Sequence, residues 1–345
     1  MIVGQGIAGS LLAMELDNKD CEVTIVNSSS IPSSSSVAAG LFNPVVFKRL
    51  LPSWKADILI PFLLNHYQEL EKQLSASFLH YVEIAKVMDS EEEQRFWEKK
   101  AQSDLLNMVS GKTEEIHIEG TIKKVNIGTV FSSGYVDLNV FLAEVKKHLS
   151  KRQSYISENF DFNVLKTENN NVFYKGVKYD RVIFCEGYNI RQNPYFSFIP
   201  FKPVNGDVLT LKFKDYHYLK NLNKNFFLLP TVEGTYRLGA TYDWNNLVFT
   251  PNEKAKESLL SKVKEFISET PQIVEHKAGV RPSTNDRRPV VGAHPIYKSF
   301  YVFNGMGTKG VMIAPYLATE LVNHLLIDTA IDPEVSVERF YYLQK

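Results

Sequence analysis

Three glycines near the start of the chain are spaced so that they could bind a diphosphate. They follow the apolar residues 1–3 and precede a helix-like run that extends to Leu16. The first glycine allows a tight turn, the second lets a diphosphate approach backbone N–H groups, and the third lets the helix pack on the strand. The N-terminus of that helix carries a partial positive charge and unpaired N–H groups, so it attracts anions. The candidate contacts in this turn are Gly4, Gly6, Ile7, Ala8 and Gly9.

A second short apolar run, residues 21–26, follows the helix and ends at Asn27. In a dinucleotide-binding βαβ unit, an acid that binds a ribose hydroxyl is expected at about this position. Asparagine can form a hydrogen bond with a hydroxyl group, but it carries no charge. We therefore expect a ribose contact that is either weaker or shared by Asn27 with Ser28 and Ser29. The alternative is that the glycines form a loop that only requires small residues.

A second glycine-rich turn occurs late in the chain. A predicted strand over residues 300–304 precedes it, and a helix predicted from about Val311 to Leu326 follows it. The N-terminus of this helix is a second place where a negative or polarised group could bind. The candidate contacts in this turn are Gly305, Gly307, Thr308, Lys309 and Gly310.

The serine-rich stretch of residues 28–40 has the composition of a flexible linker. It ends in Ala38-Ala39-Gly40-Leu41, however, where small residues give way to apolar ones. This ending suits backbone packed against a flat ring better than it suits a solvated tether. The candidate contacts are Ser28, Ser36, Ala39, Gly40 and Leu41.

The middle of the chain returns to short apolar strands, which we predict over residues 161–164, 172–174 and 182–185. An uncharged strand that ends in glycine is typical of a buried parallel strand whose carboxyl end touches a ligand. The candidate contacts here are Phe162, Glu186 and Gly187. Antiparallel strands of a second, sheet-based domain are predicted over residues 206–213, 226–230 and 236–241.

Composition excludes several classes of protein. The chain has 345 residues, of which 44% are apolar and 23% charged, as in an ordinary globular protein with one or two domains. Lys plus Arg and Asp plus Glu both total 39, so no overall field favours nucleic acid or an anionic membrane. Cys21 and Cys185 both fall in predicted buried strands, and the histidines lack zinc spacing, so neither disulfides nor a metal site is expected. With no signal sequence or long apolar segment evident, we expect a cytoplasmic protein without a membrane partner.

Five motifs in this order resemble the D-amino acid oxidase family of FAD-dependent oxidoreductases, which includes glycine oxidase and sarcosine oxidase. The motifs are residues 4–9, 38–41, 184–187, 278–282 and 305–315, and they extend over nearly the whole chain. The turn over residues 307–310 and the sequence Phe42-Asn43-Pro44 are more similar to the FAD domain of the bifunctional tRNA wobble-uridine modification enzyme.

The resemblance implies an α/β fold with FAD as cofactor. An FAD-binding Rossmann-like domain of the glutathione-reductase type (residues 1–52, 133–204 and 276–345) would be interleaved with a mixed or antiparallel β-sheet substrate domain (residues 53–132 and 205–275). The diphosphate would lie on the first glycine turn, and residues 38–41 would line the isoalloxazine ring. The late turn would face flavin N1 and C2=O, where a positive helix end stabilises the negative charge of reduced flavin.

The resemblance also implies two catalytic candidates. Arg281 matches the arginine of the family's Gly-x-Arg-Pro motif, which pairs with the substrate carboxylate. A guanidinium suits this task because it fixes orientation as well as charge. The alternative for Arg281 is a salt bridge between domains. Tyr242 lies where the family brings a sheet residue over the flavin, so it could close the pocket, bind the substrate or simply pack.

We therefore expect an enzyme that oxidises a C–N bond of a small amine or amino acid by hydride transfer to flavin N5, with oxygen as acceptor. One alternative is a tRNA-modifying FAD oxidase that acts on a carboxymethyl-aminomethyl uridine, which would need a basic surface around Lys48 and Arg49. The neutral net charge argues mildly against it. A second alternative is a flavoprotein-like fold without turnover, which only the short first strand and Asn27 favour. An NAD-linked dehydrogenase would not explain residues 38–41 or the late turn.

Overall fold

The computed structural model describes residues 1–28, 30 and 32–343. Ser29, one of the serines predicted to share the ribose contact, lies outside the described residues. Elements are numbered in chain order. The helices are α1 (Ile7–Asp17), α2 (Ser34–Val37), α3 (Ala56–Leu74), α4 (Glu91–Ala101), α5 (Leu138–Lys151), α6 (Glu253–Lys264) and α7 (Gly310–Ile327), and short 3-10 segments cover Phe162–Val164, Gly187–Gln192 and Val337–Leu343.

A six-stranded sheet carries both glycine-rich turns. Its spatial order is β11 (Tyr155–Ser157), β2 (Ile25–Asn27), β1 (Ile2–Val3), β15 (Val182–Phe184), β22 (Phe300–Asn304) and β21 (Val290–Ala293). All neighbours are parallel except β21, which runs antiparallel to β22. The short first strand predicted from the sequence is therefore central. Because the carboxyl ends of β1, β15 and β22 meet at one edge, the turns that follow them are brought together.

Both faces of this sheet are covered, which explains the uninterrupted apolar runs in its strands. Ile2, Ile25 and Ile183 face a core formed with α1, α3, α5 and α7. Their neighbours in the strands face the opposite core, which includes a three-stranded sheet. That sheet consists of β12 (Leu165–Glu168), β13 (Asn171–Tyr174) and β14 (Val177–Tyr179).

An eight-stranded mixed sheet forms the second layer of the fold. Its order is β20 (Gln272–Arg281), β16 (Val204–Lys212), β19 (Tyr236–Gly239), β18 (Phe227–Pro230), β17 (Asn221–Asn223), β7 (Ile84–Met88), β9 (Val125–Val130) and β8 (Glu114–Ile116). Only the β17–β7 pair is parallel. Helix α6 packs on one face through Leu259 and Val263. The antiparallel strands predicted for the second domain are confirmed.

Two small sheets complete the architecture. One contains β3 (Leu41–Phe42), β10 (Gly134–Val136) and β6 (Leu79–Tyr81), and the other pairs β4 (Val45–Val46) with β5 (Leu51–Pro52). The two large sheets draw on alternating stretches of the chain, as the predicted α/β fold class requires. The exact domain boundaries stay a prediction, and β20 of the eight-stranded sheet runs across the proposed boundary at residue 276.

Two predictions of local structure are wrong. Residues 161–164 form a 3-10 turn, because the carboxylate of Asp161 accepts a hydrogen bond from the backbone N–H of Asn163 (2.9 Å). Cys21 is half-buried in the loop before β2, where its N–H donates to the carbonyl of Leu16 at the end of α1. Cys185 is buried, and both cysteines are free.

Helix α7 is, within the described residues, the one helix that is long and apolar enough to cross a membrane by length and composition. Half of its residues are buried in the fold, where it packs against α1 and α3. The hydroxyl of Tyr67 in α3 donates to the carbonyl of Val311 (3.2 Å). Helix α7 is thus packed as a core helix, and its first turn is fixed against α3.

The close packing of α1 on β1 gives a test of stability. A Cβ built on Gly9 would lie 2.0 Å from the carbonyl oxygen of Gly4. We expect Gly9→Ala to lower the free energy of unfolding by about 1–3 kcal/mol or more, as overpacking does, in urea denaturation of the apoprotein. Gly111→Ala is the control, because nothing lies within 4 Å of a Cβ at that position. Equal stability of the two variants would contradict this packing.

Candidate active site

Residues from both large sheets line one cavity of about 660 Å³. This volume is typical of a site for a small ligand or cofactor. The wall contains the first glycine turn, the first turns of α1 and α7, and Arg281 at the end of β20. Two helix N-termini and one guanidinium therefore face the same space, which favours a ligand with negative charge.

Most of the predicted site residues lie in the wall of this cavity. They are Gly4, Gly6, Ile7, Ala8, Asn27, Ser28, Ala39, Gly40, Leu41, Phe162, Glu186, Gly187, Tyr242, Arg281, Gly307, Thr308, Lys309 and Gly310. Gly9, Ser36 and Gly305 lie outside it. The Ser36 hydroxyl donates to the carbonyl of Ser33 (2.8 Å), and Gly305 turns the chain after β22 with a φ of 76°. These three residues shape the backbone around the wall.

Side chains from two other segments hold the first glycine turn. The backbone N–H of Gln5 donates to the side-chain oxygen of Asn27 (2.9 Å), whose amide nitrogen donates to the hydroxyl of Tyr155 (3.1 Å). The N–H of Ile7 donates to the hydroxyl of Ser35 (3.0 Å). Asn27 therefore links the turn to β11, and its ribose contact stays a prediction. Ser36 was predicted as the contact from this stretch, and Ser35 was missed. Serine is a common N-cap residue, so the serine-rich sequence was the available signal for this bond.

The segment predicted to contact a flat ring is fixed between the two layers. A Cβ on Gly40, whose φ is 74°, would lie 1.9 Å from the carbonyl oxygen of Val136. The carbonyl of Ala39 accepts a hydrogen bond from Arg237 (3.5 Å), which forms an ion pair with Asp137 (3.1 Å). Both charged side chains are mostly buried. This ion pair joins β19 to the N-cap of α5, and it was not predicted from the sequence.

Arg281 has hydrogen-bonding capacity left for a ligand. Its Nη1 donates to the carbonyls of Asn205 and Thr241 (3.4 Å each), and its guanidinium lies 4.9 Å from the ring centre of Tyr242. Burial lowers the pKa of Arg281, and the nearby Tyr242 and Asp207 oppose this shift. No carboxylate in the described part of the chain lies within 4.0 Å of it, so the alternative of an interdomain salt bridge finds no partner there.

Two further residues lie close to Arg281, and neither was predicted from the sequence. A Cβ on Gly206 would lie 2.4 Å from the guanidinium nitrogens, so only glycine leaves room for them. Asp207 is buried and accepts hydrogen bonds from the hydroxyl of Thr241 (3.3 Å) and the N–H of Asn252 (2.9 Å). His276 Nε2 lies 2.8 Å from the same carboxylate. An acid inside an apolar strand was the available sequence signal for this network.

Tyr242 lies at an opening of the cavity, since it lines the wall and is also 55% exposed. Its ring stacks with that of Trp244 at a centroid distance of 6.1 Å and an angle of 25°. The position allows Tyr242 to restrict entry to Arg281. Its predicted roles as a lid or as a substrate contact stay predictions.

Lys309 is a second cation in the wall, at the N-cap of α7. Its ammonium donates to the carbonyls of Asn43 (3.4 Å) and Val45 (3.5 Å) and to the hydroxyl of Ser53. Burial lowers the pKa of Lys309 to about 8. The described residues place no carboxylate within 4.0 Å of this ammonium. Lys309 thus fastens the loop of residues 43–53 to the first turn of α7.

The lowered pKa of Lys309 makes stability depend on pH. Between pH 8 and the ordinary pKa of 10.5, the unfolded chain binds more protons at this site than the native protein, so a rising pH stabilises the native protein. Relative to Lys309→Met, the wild-type apoprotein should gain up to about 3 kcal/mol of unfolding free energy between pH 7 and 10.5. Urea denaturation at both pH values measures this, with the exposed Lys112→Met as control. A constant difference would contradict burial of the charge.

Comparison with known proteins decides the family. The profile of the DAO family, described as FAD dependent oxidoreductase, matches residues 1–324. The chain belongs to this family. It is an FAD-dependent oxidoreductase, and the cavity fits that cofactor. The glycine turn and the N-terminus of α1 suit a diphosphate, and a Cβ on Gly187 would meet nothing within 4 Å, so backbone alone forms that part of the wall.

Curated relatives share part or all of the chain. It is 23% identical over 376 residues to the tRNA 5-methylaminomethyl-2-thiouridine biosynthesis bifunctional protein MnmC of Marinobacter nauticus. The alignment covers 99% of this chain and 58% of that protein. It is 28% identical over 120 residues to glycine oxidase of Pseudomonas aeruginosa, which covers 34% of this chain and 33% of that protein. The chain therefore spans less than two thirds of these relatives.

Solved structures show the same fold. The iminodiacetate oxidase IdaA from Chelativorans sp. BNC1 has a TM-score of 0.80 at 16% identity, over 98% of this chain and 97% of that one. Glycine oxidase from Bacillus cereus has a TM-score of 0.72 at 18% identity, over 96% of this chain and 99% of that one. The expected fold class, a Rossmann-like α/β layer with a mixed sheet, is confirmed.

Proposed function

We propose that this protein oxidises the C–N bond of a small amine or amino acid whose carboxylate binds Arg281. The observation that carries the proposal is the guanidinium itself, which lines the FAD-binding cavity and has no acidic partner within 4.0 Å among the described residues. A half-buried guanidinium without an acidic partner suits a carboxylate because it can form two parallel hydrogen bonds. The names of the similar proteins support this, since glycine and iminodiacetate both carry a carboxylate one carbon from the amine nitrogen.

In the proposed reaction the chain binds and orients the substrate. Arg281 holds the carboxylate, and the carbonyls of Asn205 and Thr241 fix the guanidinium, so the position of the substrate Cα is set. Bound FAD supplies the two-electron acceptor for the Cα hydride. The amine lone pair forms the C=N bond as the hydride leaves, so the amine must be neutral, and water then hydrolyses the imine. Oxygen as the final electron acceptor is part of the proposal.

Anaerobic reduction of the holoenzyme tests this function. Glycine, sarcosine, iminodiacetate and a panel of larger amino acids should include at least one that bleaches the flavin absorbance. With that substrate, Arg281→Met should raise KM by about 100-fold or more, because two charge-assisted hydrogen bonds are lost. Arg95→Met, on the exposed surface of α4, is the control. A flavin that no compound in the panel reduces, or an unchanged KM in Arg281→Met, would overturn the proposal.

A second candidate function is the oxidation of a carboxymethyl-aminomethyl uridine in tRNA. The match to the Marinobacter protein over 99% of this chain favours it. Lys48 and Arg49 are exposed and directly follow Val46 and Phe47 of the cavity wall, as a phosphate contact would require. The modified side chain is itself a substituted glycine, so Arg281 would have the same role.

The two candidates differ in their dependence on salt. If tRNA is the substrate, tRNA that carries the carboxymethyl-aminomethyl group should reduce the flavin. A change from 50 to 200 mM salt should weaken the binding of this tRNA about tenfold or more, since phosphate contacts release counterions. A double substitution of Lys48 and Arg49 by Gln should reduce the salt effect. Reduction by free amino acids with no response to this tRNA would leave the small-molecule function alone.

A further inference from the structure

Glu186 places a carboxyl group where a bound diphosphate is expected. It lies two residues after the end of β15 and lines the cavity. A Cβ built on Gly4 would lie 2.6 Å from the carbonyl oxygen of Cys185 and 3.4 Å from the Cα of Glu186. Glu186 is therefore adjacent to the first glycine turn, whose N–H groups and helix N-terminus bind the anionic part of FAD. An ionised Glu186 carboxylate and the diphosphate of FAD would repel each other there.

No cation neutralises this carboxyl group within the described residues. Its Oε2 accepts one hydrogen bond, from the side-chain amide of Asn193 (2.7 Å), and no ion pair is formed. Burial raises the pKa of the adjacent Cys185 thiol, which is therefore neutral. The α1 turn that packs against Glu186, residues 4–8, has no charged side chain.

The other charged groups of the surrounding elements form no ion pair with Glu186. Glu158, after β11, pairs with Lys175 (2.6 Å). Arg191, in the 3-10 segment that ends just before Asn193, donates to the hydroxyl of Tyr188 (3.2 Å). The remaining cations of the wall, Arg281 and Lys309, donate to backbone carbonyls.

A neutral carboxyl group resolves the conflict. Burial raises the pKa of Glu186 to about 7, although the hydrogen bond from Asn193 opposes the shift. A neighbouring negative charge raises the pKa of an acid further, so a diphosphate favours the protonated form. Protonated glutamate has an O–H donor, which ionised glutamate lacks. The group can then bind an acceptor oxygen of the cofactor.

We propose that Glu186 binds FAD as a neutral carboxyl group, donating its O–H to a cofactor oxygen near the first glycine turn, so that FAD and one proton bind together. The inference depends on the cofactor and is independent of the substrate. It gives Glu186, already a candidate contact, the role of a donor that exists only while the group is protonated. It also makes retention of FAD sensitive to pH.

The direction of the pH effect follows from proton linkage. Below the pKa of Glu186 in the apoprotein, the group is already protonated and affinity for FAD does not change with pH. Above that pKa, FAD binding must take up a proton, so each unit of pH weakens binding by up to tenfold. FAD should therefore be held tightly at pH 6 and released as the pH rises through 8 and 9.

The test is the Kd of the apoprotein for FAD between pH 5.5 and 9, measured by flavin fluorescence. We expect wild-type Kd to be constant well below pH 7 and to rise about 50-fold between pH 7 and 9. Glu186→Gln keeps the shape and always has an N–H donor, so its Kd should rise less steeply with pH than the wild-type Kd, and the remaining rise comes from Lys309, which loses its charge near pH 8. Glu158→Gln, which alters the other acid of the wall, should keep the wild-type slope. A flat wild-type curve, or an unchanged slope in Glu186→Gln, would overturn the proposal.

A second measurement needs only the wild-type protein. Calorimetry at pH 8 in buffers of different ionisation enthalpy should show uptake of about one proton per FAD bound, and no uptake would overturn the proposal. The result is separable from the substrate question. If the Kd for FAD does not change with pH but an amino acid reduces the flavin, the role of Glu186 is rejected and the proposed function is not. If FAD binding takes up a proton but no amine reduces the flavin, the proposed function is rejected and the role of Glu186 is not.

Discussion

The contact between Gly4 and Gly9 is the constraint on which the rest of the site depends. It brings the first turn of α1 so close to β1 that a side chain at Gly9 would overlap the Gly4 carbonyl. This approach aims the free N–H groups of α1 into the cavity and places the turn beside β15. Helix α7 follows β22 at the same sheet edge, so two helix N-termini face one cavity.

The eight-stranded sheet contributes a fixed cation to the cavity, Arg281, to which we assign the substrate carboxylate. Arg281 is held by backbone carbonyls instead of by an acid, so its charge is available inside the cavity. Asp207 accepts a hydrogen bond from the hydroxyl of Thr241, and the carbonyl of Thr241 accepts one from Arg281. Asp207 therefore acts on Arg281 indirectly, through Thr241. The ion pair of Arg237 and Asp137 ties this sheet to the segment that contains Ala39. The parts of the cavity wall that come from the two sheets are thus coupled through mostly buried polar contacts, which specify their relative position.

Local sequence signals predicted those features that depend on neighbours in the chain. Glycine spacing identified both turns, and apolar runs identified the buried strands. The Asp161 turn was mistaken for a strand, because its short-range hydrogen bond competes with the apolar pattern.

Residues that act across the fold could not be found in the same way. Ser35, Gly206, Asp207 and Arg237 matter because of partners at least 28 residues away or on other strands, as with Ile7 and Ser35. Their roles are set by strand order, which no local pattern contains. Glu186 was identified as a wall residue, but its lack of a cation became evident only from the structure.

The most direct test of the central claim uses a ligand that can bind but cannot react. Glycolate has the carboxylate of glycine and a hydroxyl in place of the amine. Titrated into the holoenzyme, it should cause a saturable change in the flavin absorption spectrum, and Arg281→Met should abolish that change while FAD stays bound. A saturable change with the same Kd in both proteins would show that Arg281 does not bind the carboxylate.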